Sequence, residues 1–107
     1  MSRYNRQELM IGKKAQGRLL KSKVAIIGLG ALGTVAAEIL ARAGIGKIVV
    51  IDRDVVEMTD LQRQLLYDEG DVGKPKAMAA AEKLRKINSE ISVVAVAADV
   101  YHKNISA

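Results

Sequence analysis

Apolar positions along the chain fall into three short, nearly continuous runs and two periodic stretches between them. Val24-Ala25-Ile26-Ile27, Lys47–Asp52 (KIVVID) and Ile91–Val100 (ISVVAVAADV) have the pattern of parallel strands covered on both faces. Between the first two, Ala31 to Ala43 carries Leu32, Val35, Ala36, Ile39 and Leu40 at helical spacing, and Gly44-Ile45-Gly46 supplies a C-terminal stop. Between the second and third, Pro75 suits the first turn of a helix that runs to Ile87. Ala77, Ala80, Ala81, Leu84 and Ile87 line its inner face, while Glu82, Lys83, Arg85 and Lys86 turn to solvent. Thr59 or Asp60 as an N-cap predicts a short helix over Leu61–Tyr67, followed by a loop at 68–73. Ser2–Ser22 lacks strand character; Gln7–Ile11 and Ala15–Lys21 read as short helices broken at Gly12, with Gly17 unfavourable inside the second.

The resulting order is arm, strand, helix, strand, short helix, helix, strand. Right-handed crossovers would make this a Rossmann-like α/β unit: a parallel sheet of three strands with helices on both faces. A helical arm (1–22) would precede a βαβαβ half-domain (23–107). A sheet of this kind is incomplete, because the edge where a fourth strand belongs is unpaired. Either a partner covers that edge or the chain is a piece of something longer.

Composition narrows the class. Half of the 107 residues are apolar, yet Phe and Trp are absent and Tyr occurs three times, so the core is aliphatic. No apolar run reaches the roughly 18 residues of a membrane span, and the polar start predicts no secretory leader. With no cysteine, disulfides, thiolate metal sites and thiol catalysis are excluded, and a cytoplasmic location is the expectation. The net charge of +5 is uneven: residues 1–23 hold seven of the 17 Lys and Arg but a single acid, Glu8. A basic arm can meet phosphates or simply be a solvated helical face. Without interleaved aromatic residues it argues against a nucleic-acid partner.

The chemistry concentrates around Lys23–Gly33 (KVAIIGLGALG). Gly28, Gly30 and Gly33 complete a G-x-G-x-x-G directly after a strand. The first glycine permits the tight turn, the second lets a phosphate approach the backbone, and the third lets the next helix pack closely. The N-terminal amides of that helix favour an anion. Asp52 closes the second strand nineteen residues after Gly33, the spacing at which an acid holds a nucleotide ribose. Strand-end acids are also commonly solvated, and Asp54 is balanced between the two roles. Arg63 could fork onto phosphate oxygens or form a surface ion pair, and spacing does not separate them. Lys76 opens a helix whose dipole prefers an acid there, a local conflict of the kind found at functional sites. Arg3 and Arg6 are too distant in sequence to place, and His102 reads as bland.

Taken together, RYNRQ at 3–7, GLGALG at 28–33, DRDVVE at 52–57, DLQRQLLY at 60–67, VGKPKA at 72–77 and KINSEI at 86–91 resemble the ThiF/MoeB/HesA superfamily of ubiquitin-activating-enzyme-like adenylyltransferases. The resemblance implies an enzyme that uses ATP and Mg2+ to adenylate the C-terminal glycine of a ubiquitin-like sulfur-carrier protein, of the molybdopterin or thiamine type. It places Gly28, Gly30, Ala31 and Gly33 under the phosphates, Asp52 on the ribose and Asp54 and Asp60 near the same nucleotide. Arg63 and Lys76 would stabilise charge on the phosphates, and Arg6 would cross into the site of a partner subunit in a homodimer. Ala31 stands where the family commonly has Gly, and Asp60 where it commonly has Asn. The family's magnesium-binding Asp, carrier-tail groove and zinc site would lie beyond residue 107, so the chain is expected to be the ATP-binding half, weakly active or inactive alone. Two other readings remain on the residues: an NAD(P)-binding oxidoreductase half-domain, which LQRQ and GKPK argue against, and a non-catalytic dimerisation or scaffold remnant.

Overall fold

A computed structural model describes residues 2–98; the expected end of the third strand at 99–100 and His102 lie outside the described residues. The elements are α1 (Asn5–Leu20), β1 (Lys23–Ile27), α2 (Ala31–Ala43), β2 (Lys47–Ile51), two 3-10 turns at Met58–Gln62 and Glu69–Asp71, α3 (Lys76–Ile87) and β3 (Ser92–Val96). The three strands are parallel in the order β1-β2-β3, in register from Lys23, Lys47 and Ser92 to Ile27, Ile51 and Val96. This is the open Rossmann-like sheet expected from the apolar runs. No helix among the described residues is long and apolar enough to cross a membrane.

The helix cover differs from expectation. Ile26, Ile48, Val50 and Val93 form one sheet face and are buried beneath α2 and α3. Ala25, Ile27, Val94 and Val96 on the other face are exposed, and Val49 and Ile51 are only half-buried. Helices on both faces are therefore not formed by the described residues. The reason is topological: two right-handed crossovers that step in the same direction across a sheet place both helices on one side.

Within α2, the stripe that faces the sheet is Thr34, Ala37 and Ala41, while Leu32 is 87% exposed and Val35 and Ile39 also point outward. Small residues win the inner face because the helix approaches very closely. A Cβ on Gly33 would lie 1.9 Å from the carbonyl oxygen of Gly28. In α3 the buried residues are Lys76, Ala77, Ala79, Ala80, Ala81 and Leu84: the expected face with Lys76 and Ala79 added, and with Ile87 only half-buried.

The 61–67 segment is not a regular helix. A 3-10 turn at Met58–Gln62 is capped by Glu57, and Asp60 lies inside it, its carboxylate accepting from the Glu57 amide at 2.9 Å. Beyond Gln62 the chain runs through turns, with Leu61 and Leu66 half-buried on the core and Gln64 and Tyr67 buried.

The arm is helical, as expected, and kinks at Gly12, whose φ of +84° is in the left-handed region. It begins at Asn5, two residues early, and Gly17 does not interrupt it. It docks at the N-terminal end of the strands. Gly46 N donates to Leu19 O and Lys47 N to Ser22 O. The Gln16 amide donates to Ala43 O, and Asn88 Nδ2 donates to both Tyr4 OH and Ala41 O at 2.8 Å.

Gly33→Ala is expected to destabilise by at least about 2 kcal/mol, as overpacking against backbone cannot relax by a rotamer change. Gly30→Ala, whose Cβ meets nothing within 4 Å, should stay within about 1 kcal/mol of the parent. Thermal melts of the two variants check the contrast.

Candidate nucleotide-binding site

The turn after β1 is built by Gly28 at φ +88° and by Gly30, which caps α2 in extended conformation. Between them sits Leu29, fully buried, with its peptide groups held from two sides. Its N–H donates to Asp52 Oδ2 at 2.7 Å, and its carbonyl accepts from the Tyr67 hydroxyl at 2.7 Å. The second Asp52 oxygen accepts from Asp54 N at 2.7 Å, so one carboxylate joins the glycine turn to the exit of β2. Burial, with Asp52, Asp60 and Asp71 around it, pushes the Tyr67 hydroxyl far up, so it remains a donor at ordinary pH.

Beside this turn, at the C-terminal ends of β1 and β2, opens a cleft of about 190 Å³ lined by Ile27, Gly28, Ile51, Asp52, Arg53, Asp54 and Ala98. It lies at the carboxyl end of a parallel sheet, where ligands of open α/β folds bind. Asp52 is buried and Asp54 exposed, so the two acids are in different environments. Arg53 approaches Asp54 at 3.7 Å.

A second group adjoins it. Lys76 N donates to Asp54 O at 2.8 Å, which ties the start of α3 to the exit of β2. The buried Lys76 ammonium lies 3.5 Å from Asp60 Oδ2. The unfavourable lysine at the helix start is thus answered within the chain by a carboxylate. Asp60 Oδ1 accepts from Gln64 Nε2 at 3.0 Å, while Gln64 Oε1 is buried without a hydrogen-bond partner. Arg63 is exposed next to this pair and adds positive charge near Asp60.

The tertiary structure therefore brings Gly28, Gly30, Ala31, Gly33, Asp52, Asp54, Asp60, Arg63 and Lys76 to one end of the sheet. Arg6 is not among them. It is exposed on α1, which docks against the far end of α2, a helix of 13 residues and so about 20 Å long. Two residues went unassigned from sequence, Gln64 and Tyr67. Both stand in DLQRQLLY, and the signal for Tyr67 was that it is the one aromatic residue of that segment in a chain without Phe or Trp. Among the described residues no group of three or more His, Asp or Glu could hold a metal ion.

The description "ThiF family" matches residues 4–107. A sulfur carrier protein ThiS adenylyltransferase of Bacillus subtilis (strain 168) is 51% identical over 107 residues, covering 96% of this chain and 32% of that protein. A molybdopterin-synthase adenylyltransferase of Escherichia coli (strain K12) is 42% identical over 98 residues, covering 90% of this chain and 39% of that protein. The crystal structure of E. coli tRNA N6-threonylcarbamoyladenosine dehydratase in complex with ATP superposes with a TM-score of 0.91 at 36% identity, covering 97% of this chain and 43% of that one. The chain thus spans between a third and two-fifths of the length of these curated relatives.

The Asp60 cluster couples stability to pH. The Glu57 amide holds the Asp60 carboxyl below the usual carboxylate range, with Lys76 and Arg63 adding to the effect and burial opposing it. A carboxyl depressed in the folded state stabilises fully above its unfolded pKa of about 4, and that contribution is lost as pH falls through the folded value. The urea midpoint should therefore drop as pH falls below about 4, and drop less in Asp60→Asn. Circular dichroism across that range checks it; equal acid losses in both proteins would exclude Asp60 as the source.

Proposed function

This chain belongs to the ThiF family, and we propose that it supplies the ATP-binding half of an enzyme that adenylates the C-terminal glycine of a ubiquitin-like sulfur-carrier protein. The observation that carries this reading is the 2.7 Å bond from Tyr67 to the Leu29 carbonyl, which seats the DLQRQLLY segment on the glycine turn. A generic dinucleotide unit needs only the turn and the strand-end acid. Here a second, cation-bearing segment is bolted to that turn.

In the proposed reaction a carboxylate oxygen of the carrier attacks the α-phosphorus of ATP. The bond to the bridging oxygen breaks, pyrophosphate leaves with the bonding electrons, and an acyl-adenylate remains. Negative charge shifts toward the leaving pyrophosphate, and fixed cations aimed at it lower the barrier. Arg63 can fork onto phosphate oxygens and Lys76 can supply a point charge. The loop of Gly28, Gly30, Ala31 and Gly33 lies under the phosphates; the Gly28 amide donates to Ile51 O, so the first amides of α2 supply the donors, and Ala31 adds a methyl group there. Asp52, with lone pairs left after accepting two amides, takes the ribose hydroxyls, and Asp54 lies at the same cleft. The described residues do not by themselves make a Mg2+ site, so the metal requires ligands from elsewhere, phosphate oxygens included. Arg6, remote from its own turn, fits a role across a homodimer in the partner's site. A cytoplasmic setting accords with this function.

Titrating the chain with ATP, with and without Mg2+, and with NAD and NADP while following thermal unfolding tests the reading. ATP should stabilise saturably, by about 2.7 kcal/mol at a hundred times Kd. Stabilisation by NAD alone would favour an oxidoreductase half-domain, and no response to any nucleotide would favour a scaffold. Arg63→Ala should weaken ATP by about 10- to 100-fold, the loss of a charge-assisted contact. In a full-length enzyme it should abolish adenylate formation, measured by pyrophosphate exchange; wild-type turnover there would remove Arg63 from its role.

A further inference from the structure

We propose that Asp60 is a resident anion on Lys76, a carboxylate of the chain itself that occupies the phosphate-binding lysine and weakens the hold of the site on bare polyphosphate. The inference rests on the nucleotide reading only for the kind of ligand, a polyphosphate.

Lys76 is buried, and its ammonium forms one ion pair among the described residues, with Asp60 Oδ2 at 3.5 Å. The carboxylate is held where it stands. Oδ2 accepts from the Glu57 amide at 2.9 Å and Oδ1 from Gln64 Nε2 at 3.0 Å. Asp60 N donates to Glu57 O, and Gln64 N donates to Asp60 O. An arriving phosphate therefore shares Lys76 with a carboxylate that does not swing aside. The two side-chain charges cancel locally, and Arg63 is the remaining cation beside the pair.

Gln64 shows what the carboxylate costs its neighbour. A charged carboxylate only accepts, so Gln64 must present Nε2 to it, and Oε1 is left buried with no donor. A neutral amide at position 60 could accept from Glu57 and donate to Gln64 Oε1, but Gln64 Nε2 would then be the group left without a partner, and Lys76 would lose its carboxylate. The charge at position 60 thus leaves one Gln64 oxygen unpaired and gives the buried Lys76 its anion.

Isothermal titration of the chain with inorganic tripolyphosphate in EDTA near pH 7.5 tests it, using wild type, Asp60→Asn and Asp60→Asn combined with Lys76→Met. Asp60→Asn should bind about tenfold more tightly than wild type, as expected for removing one charge within contact distance of an anion. The double variant should lose that gain. Asp60→Ser, which keeps an acceptor for Glu57 and a donor for Gln64, gives the same comparison should circular dichroism show Asp60→Asn unfolded. Asp60→Asn binding no more tightly than wild type, the case where neither binds included, overturns the proposal, as does a gain that survives loss of Lys76. ATP titrated in parallel separates the two readings. Stabilisation of wild type by ATP without a gain in Asp60→Asn sinks the resident anion and keeps the nucleotide site. A gain for tripolyphosphate without any ATP response upholds the resident anion and removes the nucleotide reading.

Discussion

The candidate site depends on how the peptide groups of one buried residue, Leu29, are satisfied. Its N–H is bound by Asp52 and its carbonyl by Tyr67, both at 2.7 Å. Buried backbone groups must find partners, and here the two partners come from different parts of the chain. Asp52 belongs to the exit of β2, and Tyr67 to the segment that follows the 3-10 turn. Meeting the needs of one residue therefore fixes the glycine turn, the strand-end acid and the cation-bearing segment relative to one another. Tyr67 can serve because burial among three aspartates keeps its proton in place.

Around that centre the fold separates two ends. At the carboxyl ends of the strands lie the cleft, Arg63 and the Asp60–Lys76 pair. At the amino ends lies the arm, docked through Gln16, Tyr4 and Asn88 on the far ends of α2 and α3. The close seat of α2 on the sheet is what makes the first end compact. It demands Gly33 and an inner face of Thr34, Ala37 and Ala41, and it turns Leu32, Val35 and Ile39 outward.

Charge at the site is balanced and not simply positive. The basic excess of the sequence lies in the arm, away from the cleft, while Asp52, Asp54 and Asp60 accompany Arg63 and Lys76. A buried ion pair gains its Coulomb energy against a desolvation cost, and is a weak source of stability. The Asp60–Lys76 contact is better understood as setting where a charge sits before a ligand arrives.

Local sequence determined the three strands, the glycine turn, the extents of α2 and α3 and the break at Gly12. Each follows from short-range terms: apolar runs, left-handed glycine, proline at a helix start. The resemblance carried by DLQRQLLY and VGKPKA likewise singled out Arg63 and Lys76, which the fold brings to the same end of the sheet as the glycine turn. Three things were decided only in three dimensions. Both crossovers step the same way, so α2 and α3 share one sheet face, which no single segment encodes. Leu32, Val35 and Ile39 of the expected α2 stripe face outward, because backbone contact at Gly33 favours small side chains on the inner face, and Leu40 alone of its large residues packs on the core. The partners of Leu29 and Lys76 lie 23, 38 and 16 positions away in the chain, so their pairing depends on packing that sequence spacing does not express.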